Sequence, residues 1–264
     1  MSDRARLFDR FAPPVLLLAL AAAWALPEQG WLTLAAPDPD AGARVTTALD
    51  ALPAESLVVV GFDPDLGTYA EIRPTVRALI DDLLARGARL AFVSLTPEGR
   101  ALALAEMDRL ERGDGGEVVD LGFVPGAEAA LVMLARGERG GVLEGGLTTA
   151  DAAVVIGGNE LGPRAWVEQV APRVEDLPLI AVAPTILLPQ LQPYLATGQL
   201  QALLATPRDG AAYRDGLGRP AADHAGPMTL PILLGLLAAL GVLGDGLAQR
   251  VMRGVHASRT RDAA

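Results

Sequence analysis

Short apolar runs alternate with amphipathic stretches through the middle of this 264-residue chain. Six of the runs read as strands: 57–62 (LVVVGF), 89–94 (RLAFVS), 117–121 (EVVDL), 152–157 (AAVVIG), 179–183 (LIAVA) and 201–205 (QALLA). Each is continuously apolar, the pattern of a strand buried on both faces. Between the first two, Ile72, Val76, Leu79, Ile80, Leu83 and Leu84 recur at helical spacing, and Gly87 provides a stop. Thr96-Pro97-Glu98 opens the next helix with a capping hydroxyl, a proline at the first helical position and an acid near the positive end of the dipole. That helix runs to about Arg112, and further helices are predicted over about 126–136, 163–170 and 186–196, the last ending at Gly198. The Gly-rich stretch 137–150 predicts a mobile surface loop. Alternating strands and helices over roughly 44–219 predict an α/β fold, a Rossmann-like parallel sheet of about six strands with helices on both faces.

Two longer apolar segments bracket this pattern. Residues 13–33 contain PPVLLLALAAAWAL, and residues 227–248 contain MTLPILLGLLAALGVLG with no charge before Asp245. A helix crossing a bilayer needs about 20 mostly apolar residues, so both segments are long enough to read as transmembrane helices. Ala23-Trp24-Ala25 also fits the small-x-small pattern of a cleaved signal peptide, but a second span to pair with favours an uncleaved anchor. For 227–248 the alternative is a buried helix of a soluble core. Arg4, Arg6 and Arg10 precede the first segment, and Arg250, Arg253, Arg259 and Arg261 follow the second. The positive-inside rule then makes both ends (1–12 and the Arg-rich tail 249–264) cytoplasmic and the domain at 34–226 extracytoplasmic, in the cell membrane.

Composition narrows the chemistry. The net charge of −10 argues against a nucleic-acid partner, since phosphate binding needs a basic surface. All 22 basic residues are Arg, so no mechanism that needs a Lys can operate unless Arg substitutes, and Arg does not deprotonate. There is no Cys, so disulfides, thiolate nucleophiles and Cys-ligated metals are excluded. His224 and His256 lie in the linker and the tail, far in sequence from the strand ends, which argues against a His-based triad or zinc site.

In open α/β sheets ligands bind beyond the carboxyl ends of the strands. Those ends carry Asp63 and Asp65, then Ser94 and Thr96, then Gly122 and Phe123. Gly157, Gly158, Asn159 and Glu160 follow the fourth strand, Thr185 the fifth, and Thr206 and Arg208 the sixth. Thr96, Gly158, Asn159, Glu160 and Arg208 are the candidate ligand-binding residues. Asp63, Asp65 and Ser94 are the candidate catalytic ones. GGNELG (157–162) permits close backbone approach but lacks the spacing of a dinucleotide or P-loop fingerprint. No metal site and no cofactor is expected.

VVVGFDPDLGT (58–68) followed by a helix and then LAFVSLTPEG (90–99) resembles the opening of haloacid-dehalogenase-type phosphatases. That resemblance implies Asp63 as nucleophile, Asp65 as general acid and Ser94 as a phosphate-holding hydroxyl, with Glu160 in the place of a metal-binding acidic loop. The sequence departs from the family in having one extra residue after Asp65, no Lys, and Gly158 and Asn159 where acids belong. The same two Asp residues also suit turn and helix-capping roles, which the residue types favour. A second resemblance rests on DLGFVPGAEAAL (120–131) and PYLATGQLQALLATPRDGAAY (193–213). These are similar to an uncharacterised family of bacterial and archaeal membrane-anchored proteins with an α/β domain, which implies the architecture and no particular activity. The expected function is a non-catalytic binding or assembly module of a membrane complex, partnered by other subunits or by itself. A metal-dependent phosphatase-like hydrolase and a small-ligand sensor are the alternatives.

Overall fold

A computed structural model describes residue 38, 40–112, 116–138, 143 and 145–218. The proposed spans 13–33 and 227–248 lie outside the described residues. Among the described residues no helix is long and apolar enough to cross a membrane.

The six strands are β1 (Leu57–Asp63), β2 (Arg89–Ser94), β3 (Val118–Phe123), β4 (Ala152–Gly157), β5 (Leu179–Val182) and β6 (Ala202–Leu204). They form one sheet in the order β3-β2-β1-β4-β5-β6, with every pairing parallel. The α-helices are α1 (Ala41–Asp50), α2 (Leu66–Ala85), α3 (Pro97–Glu111), α4 (Glu128–Ala135), α5 (Pro163–Gln169), α6 (Leu188–Ala196) and α7 (Pro207–Gly216). The winding moves outward from β1 to β3, returns beside β1 to start β4, and then moves outward the other way. The order therefore reverses between β1 and β4, the switch point of a doubly wound sheet.

Alternation along the strands splits the core in two. Val58, Val60 and Phe62 join Leu90 and Phe92 under α1, α2, α3 and α7. Val59, Ala91 and Val93 join the other layer, under α4, α5 and α6. Gly61 faces that second layer, where an added Cβ would lie 2.5 Å from the Trp166 ring, so the missing side chain makes room for a fully buried indole. The two helices absent from the sequence reading, α1 and α7, complete the first layer beside β6. Ala41, Val45 and Leu49 are the buried stripe of α1, and Tyr213 of α7 donates its hydroxyl to Asp82 at 2.6 Å. Between α2 and α3 the buried Glu106 carboxylate accepts from Tyr69 Oη at 2.6 Å, from Arg77 and from Arg109. Burial pulls the pKa of Glu106 up, but these donors win and hold it below the usual range.

Three sequence expectations are corrected. The third strand is not buried on both faces: in β3 Val119 and Phe123 are 39% and 40% exposed, whereas β6, at the opposite edge of the sheet, is buried. Its ladder with β2 also slips, Phe92 pairing with Asp120 but Val93 with Gly122. Gly122 takes φ +83° there, the conformation a bulge asks of glycine. The stretch 137–150 is not wholly a loose loop, because Gly146–Thr149 forms a 3₁₀ turn with Leu147 buried against the second core layer. The helix expected from 126 starts at Glu128, since Gly126 and Ala127 hold φ of +123° and +51°.

Candidate functional site

The switch point brings the end of β1 against the end of β4, with Asp63 level with Gly157. Asp63 is 1% exposed. Its Oδ1 accepts three hydrogen bonds: Leu95 N at 2.7 Å, Thr96 N at 2.8 Å and Thr96 Oγ1 at 3.0 Å. The carboxylate thus ties the end of β1 to the turn that leads from β2 into α3. Thr96 serves twice, because its hydroxyl also accepts from Gly99 N at 3.0 Å as the N-cap of α3. Gly99 lets that helix start close in: a Cβ there would meet the Phe62 carbonyl at 2.4 Å and Asp63 Cα at 2.8 Å. Burial outweighs the three donors and raises the Asp63 pKa to about 6. Oδ2 lies buried with no hydrogen-bond partner.

Asp65 is the N-cap of α2, accepting from Thr68 N at 2.9 Å and Thr68 Oγ1 at 2.7 Å. Those two bonds hold its pKa below the usual carboxylate range. Glu98 from the start of α3 accepts from Leu66 N at 2.7 Å, so the first turns of α2 and α3 are stitched together. Asn159 staples the other side. Its Nδ2 donates to the Asp63 carbonyl at 2.8 Å, and its Oδ1 accepts from Leu161 N at 2.9 Å. The glycines around it permit close packing by the protein itself. A Cβ on Gly158 would lie 2.2 Å from Thr68 Oγ1, and one on Gly157 would lie 2.7 Å from Gly162 Cα. At the switch point Thr68 therefore packs against Gly158, and Gly157 against Gly162, while Asn159 bonds to the Asp63 carbonyl.

The residues implied by the phosphatase resemblance are not brought together. Ser94 lies two residues after Phe92 and shares its face of the sheet, whereas Asp63 shares the face of Val59 and Gly61, so the two side chains leave on opposite sides. The Ser94 hydroxyl is buried without a hydrogen-bond partner. Asp65 is spent on its cap, and Glu160 is exposed. Among the described residues no group of three or more His, Asp or Glu is placed to hold a metal ion. Arg208, half-buried in the first turn of α7, follows β6, three strand spacings or about 14 Å from β1.

Near Arg208 a shallow cavity of about 250 Å³ opens between α6, the end of β6 and the start of α7, lined by Asp38, Gln192, Thr206 and Asp209 among others. Its Asp209 is engaged: Oδ2 accepts from Thr206 N at 3.0 Å in a capping box, and Oδ1 accepts from Asp38 N at 3.0 Å. The sequence reading missed this box, although Thr206-Pro207-Arg208-Asp209 carries its signature. It also missed Thr68, which packs against Gly158 of a loop 90 residues away in the chain.

No family model matches this chain, and no curated protein matches it. Among solved structures it is similar to MT0777, at 17% identity and a TM-score of 0.37, covering 64% of this chain and 97% of that one. A short-chain oxidoreductase from Pseudomonas aeruginosa PAO1 with an atypical catalytic center is 17% identical, with a TM-score of 0.29, covering 61% of this chain and 62% of the oxidoreductase. An α,α-trehalose 6-phosphate synthase from Burkholderia multivorans is 14% identical, with a TM-score of 0.34, covering 80% of this chain and 50% of the synthase. The α/β assignment rests on the parallel sheet itself.

Proposed function

We propose that this chain is a two-span membrane protein whose α/β domain, on the extracytoplasmic side, is a non-catalytic binding or assembly module of a membrane complex. The observation that carries the non-catalytic part is the use of the strand-end polar groups. Asp63 clamps a turn, Asp65 and Thr96 cap helices, and Asn159 staples a loop. A catalytic centre needs a nucleophile, acid or base whose reactive atom reaches a substrate. At the switch point these groups are turned inward onto the protein's own backbone. The membrane part is supported by the two apolar segments and by the Arg residues on their outer flanks.

Mild-detergent extraction followed by identification of co-purifying proteins tests the assembly reading, which expects a stoichiometric partner or a defined self-association. A monomer that purifies alone from its native membrane counts against it. Protease added to intact cells should cleave the domain, and full protection sinks the topology. The second reading, a small-ligand sensor, is favoured by the cavity at the end of β6 and not by the switch point. It requires a polar ligand that raises thermal stability and loses that effect in Gln192→Ala.

A further inference from the structure

We infer that Asp120 locks the outer edge of β3 against strand addition, so that neither a second copy of this chain nor an extended segment of a partner continues the sheet there. β3 is the last strand on its side, and among the described residues no strand pairs with it other than β2. At the other end of the sheet β6 is three residues long and buried, which gives an incoming strand little to bond. β3 is six residues long and partly exposed, so it is the edge that needs closing. Leu90 N donates to the Glu117 carbonyl at 2.9 Å. Alternation from that bond turns Glu117, Val119 and Leu121 toward β2 and leaves the N–H and C=O groups of Val118 and Asp120 facing outward. An antiparallel strand would meet those two residues in an even ladder.

Beyond them the even ladder stops. Val124 N donates to the Ser94 carbonyl at 2.8 Å, three residues after Leu121 where an unbroken ladder would count two. The extra residue falls where Gly122 takes φ +83°. An added Cβ on Gly122 would meet nothing within 4 Å, so the glycine answers to backbone conformation and not to crowding. Gly122 N is already taken, since Asp120 Oδ1 accepts from it at 2.8 Å. That oxygen fills the acceptor place that a carbonyl of an incoming strand would need. Arg100 on α3 holds the carboxylate there with both terminal nitrogens, Nη1 to Oδ1 at 2.5 Å and Nη2 to Oδ2 at 2.6 Å. The same bonds keep the Asp120 carboxyl below the usual carboxylate range, so it stays charged. α3 is itself fixed at its start, where Thr96 caps it and bonds to Asp63. A strand pairing here has to displace this carboxylate or bury its charge beside carbonyl oxygens, and both oppose pairing.

Hydrogen exchange resolved to single amides, on the full-length protein in mild detergent, tests the lock. In the wild type Gly122 should exchange several-fold more slowly than Val118 and Asp120. Asp120→Val removes the charge and the acceptor and puts a strand-forming residue in their place. Gly122 exchange should then rise to the level of its neighbours. Sedimentation should show self-association that grows with concentration and slows exchange at positions 118 and 120. The Leu90 amide, bonded to the Glu117 carbonyl, should stay slow and report that β3 remains in the sheet. If β3 frays in that variant, Arg100→Gln leaves the strand's own sequence intact and only unties the carboxylate; Gly122 exchange should again rise several-fold. Slow exchange at positions 118 and 120 in the dilute wild type means that a strand already pairs there and overturns the inference. Gly122 exchange that neither variant changes overturns it too. So does Asp120→Val that keeps a slow Leu90 amide yet sediments as the wild type does at every concentration.

Discussion

Replacing Asp63 by Asn separates the two forces acting on that carboxyl. The amide keeps an oxygen where Oδ1 accepts from Leu95 and Thr96, removes the charge and the titration, and puts an NH₂ in the place of Oδ2. In the wild type, burial wins over those donors and lifts the pKa from 3.8 to about 6. A group whose folded-state pKa is raised lends stability that is complete below its unfolded value and is lost as pH rises through the folded value. Wild type should therefore weaken relative to Asp63→Asn as pH rises from about 4 to about 6. The shift of roughly two units corresponds to about 3 kcal/mol at full ionisation, at 1.36 kcal/mol per unit. Because the residue is 1% exposed, solvent screens little of this. Urea denaturation of both proteins at several pH values from 4 to 7 measures the difference, and every carboxylate common to both cancels. The amide's buried NH₂ adds an offset that does not depend on pH, so the slope alone is diagnostic. A difference that stays flat across the range refutes the reasoning. A slope of opposite sign would mean that the three donors dominate and the carboxylate is a stabilised anion.

Three further substitutions probe other joints of the fold. Gly99→Ala drives a Cβ into the Phe62 carbonyl and Asp63 Cα, which are backbone atoms that cannot swing aside. It should cost about 1–3 kcal/mol in urea denaturation, as overpacking does. Ala127 holds φ +51° and ψ −130°, a region that suits glycine, so Ala127→Gly should raise stability by about 1 kcal/mol in thermal unfolding. Glu106→Gln leaves Tyr69 Oη, Arg77 and Arg109 facing a neutral amide. Stability at neutral pH should fall by about 2–3 kcal/mol, and an unchanged midpoint would show that Arg77 and Arg109 rehydrate at no cost.

Most of the secondary structure could be read from the chain because strands buried on both faces are continuous apolar runs and the intervening helices carry clear caps and stops. Thr96-Pro97-Glu98 and Gly87 marked helix ends that the structure retains. The stripe Ala41, Val45, Leu49 and the Thr206–Asp209 box were equally visible signals, and they mark α1 and α7. The third strand misled because Val118, Val119 and Leu121 look apolar whether a helix covers them or not; β3 and β6 are both sheet edges, yet β6 is buried and β3 is not.

The candidate site divides along the same line. Sequence alone determined which residues stand at the strand ends, since side-chain type and strand length suffice for that. Whether those residues face a ligand or one another depends on partners far away in the chain. Asp63 meets the backbone N–H groups of Leu95 and Thr96. Asn159 reaches back 96 residues to the Asp63 carbonyl, and Thr68 fills the space that Gly158 leaves. A carboxylate's chemistry is set by its solvation and its donors, and neither is written in its neighbours along the chain. Tertiary packing decided that Asp63 Oδ1, Asp65 and Asn159 bond to the protein's own chain, while Asp63 Oδ2 and the Ser94 hydroxyl are buried without partners.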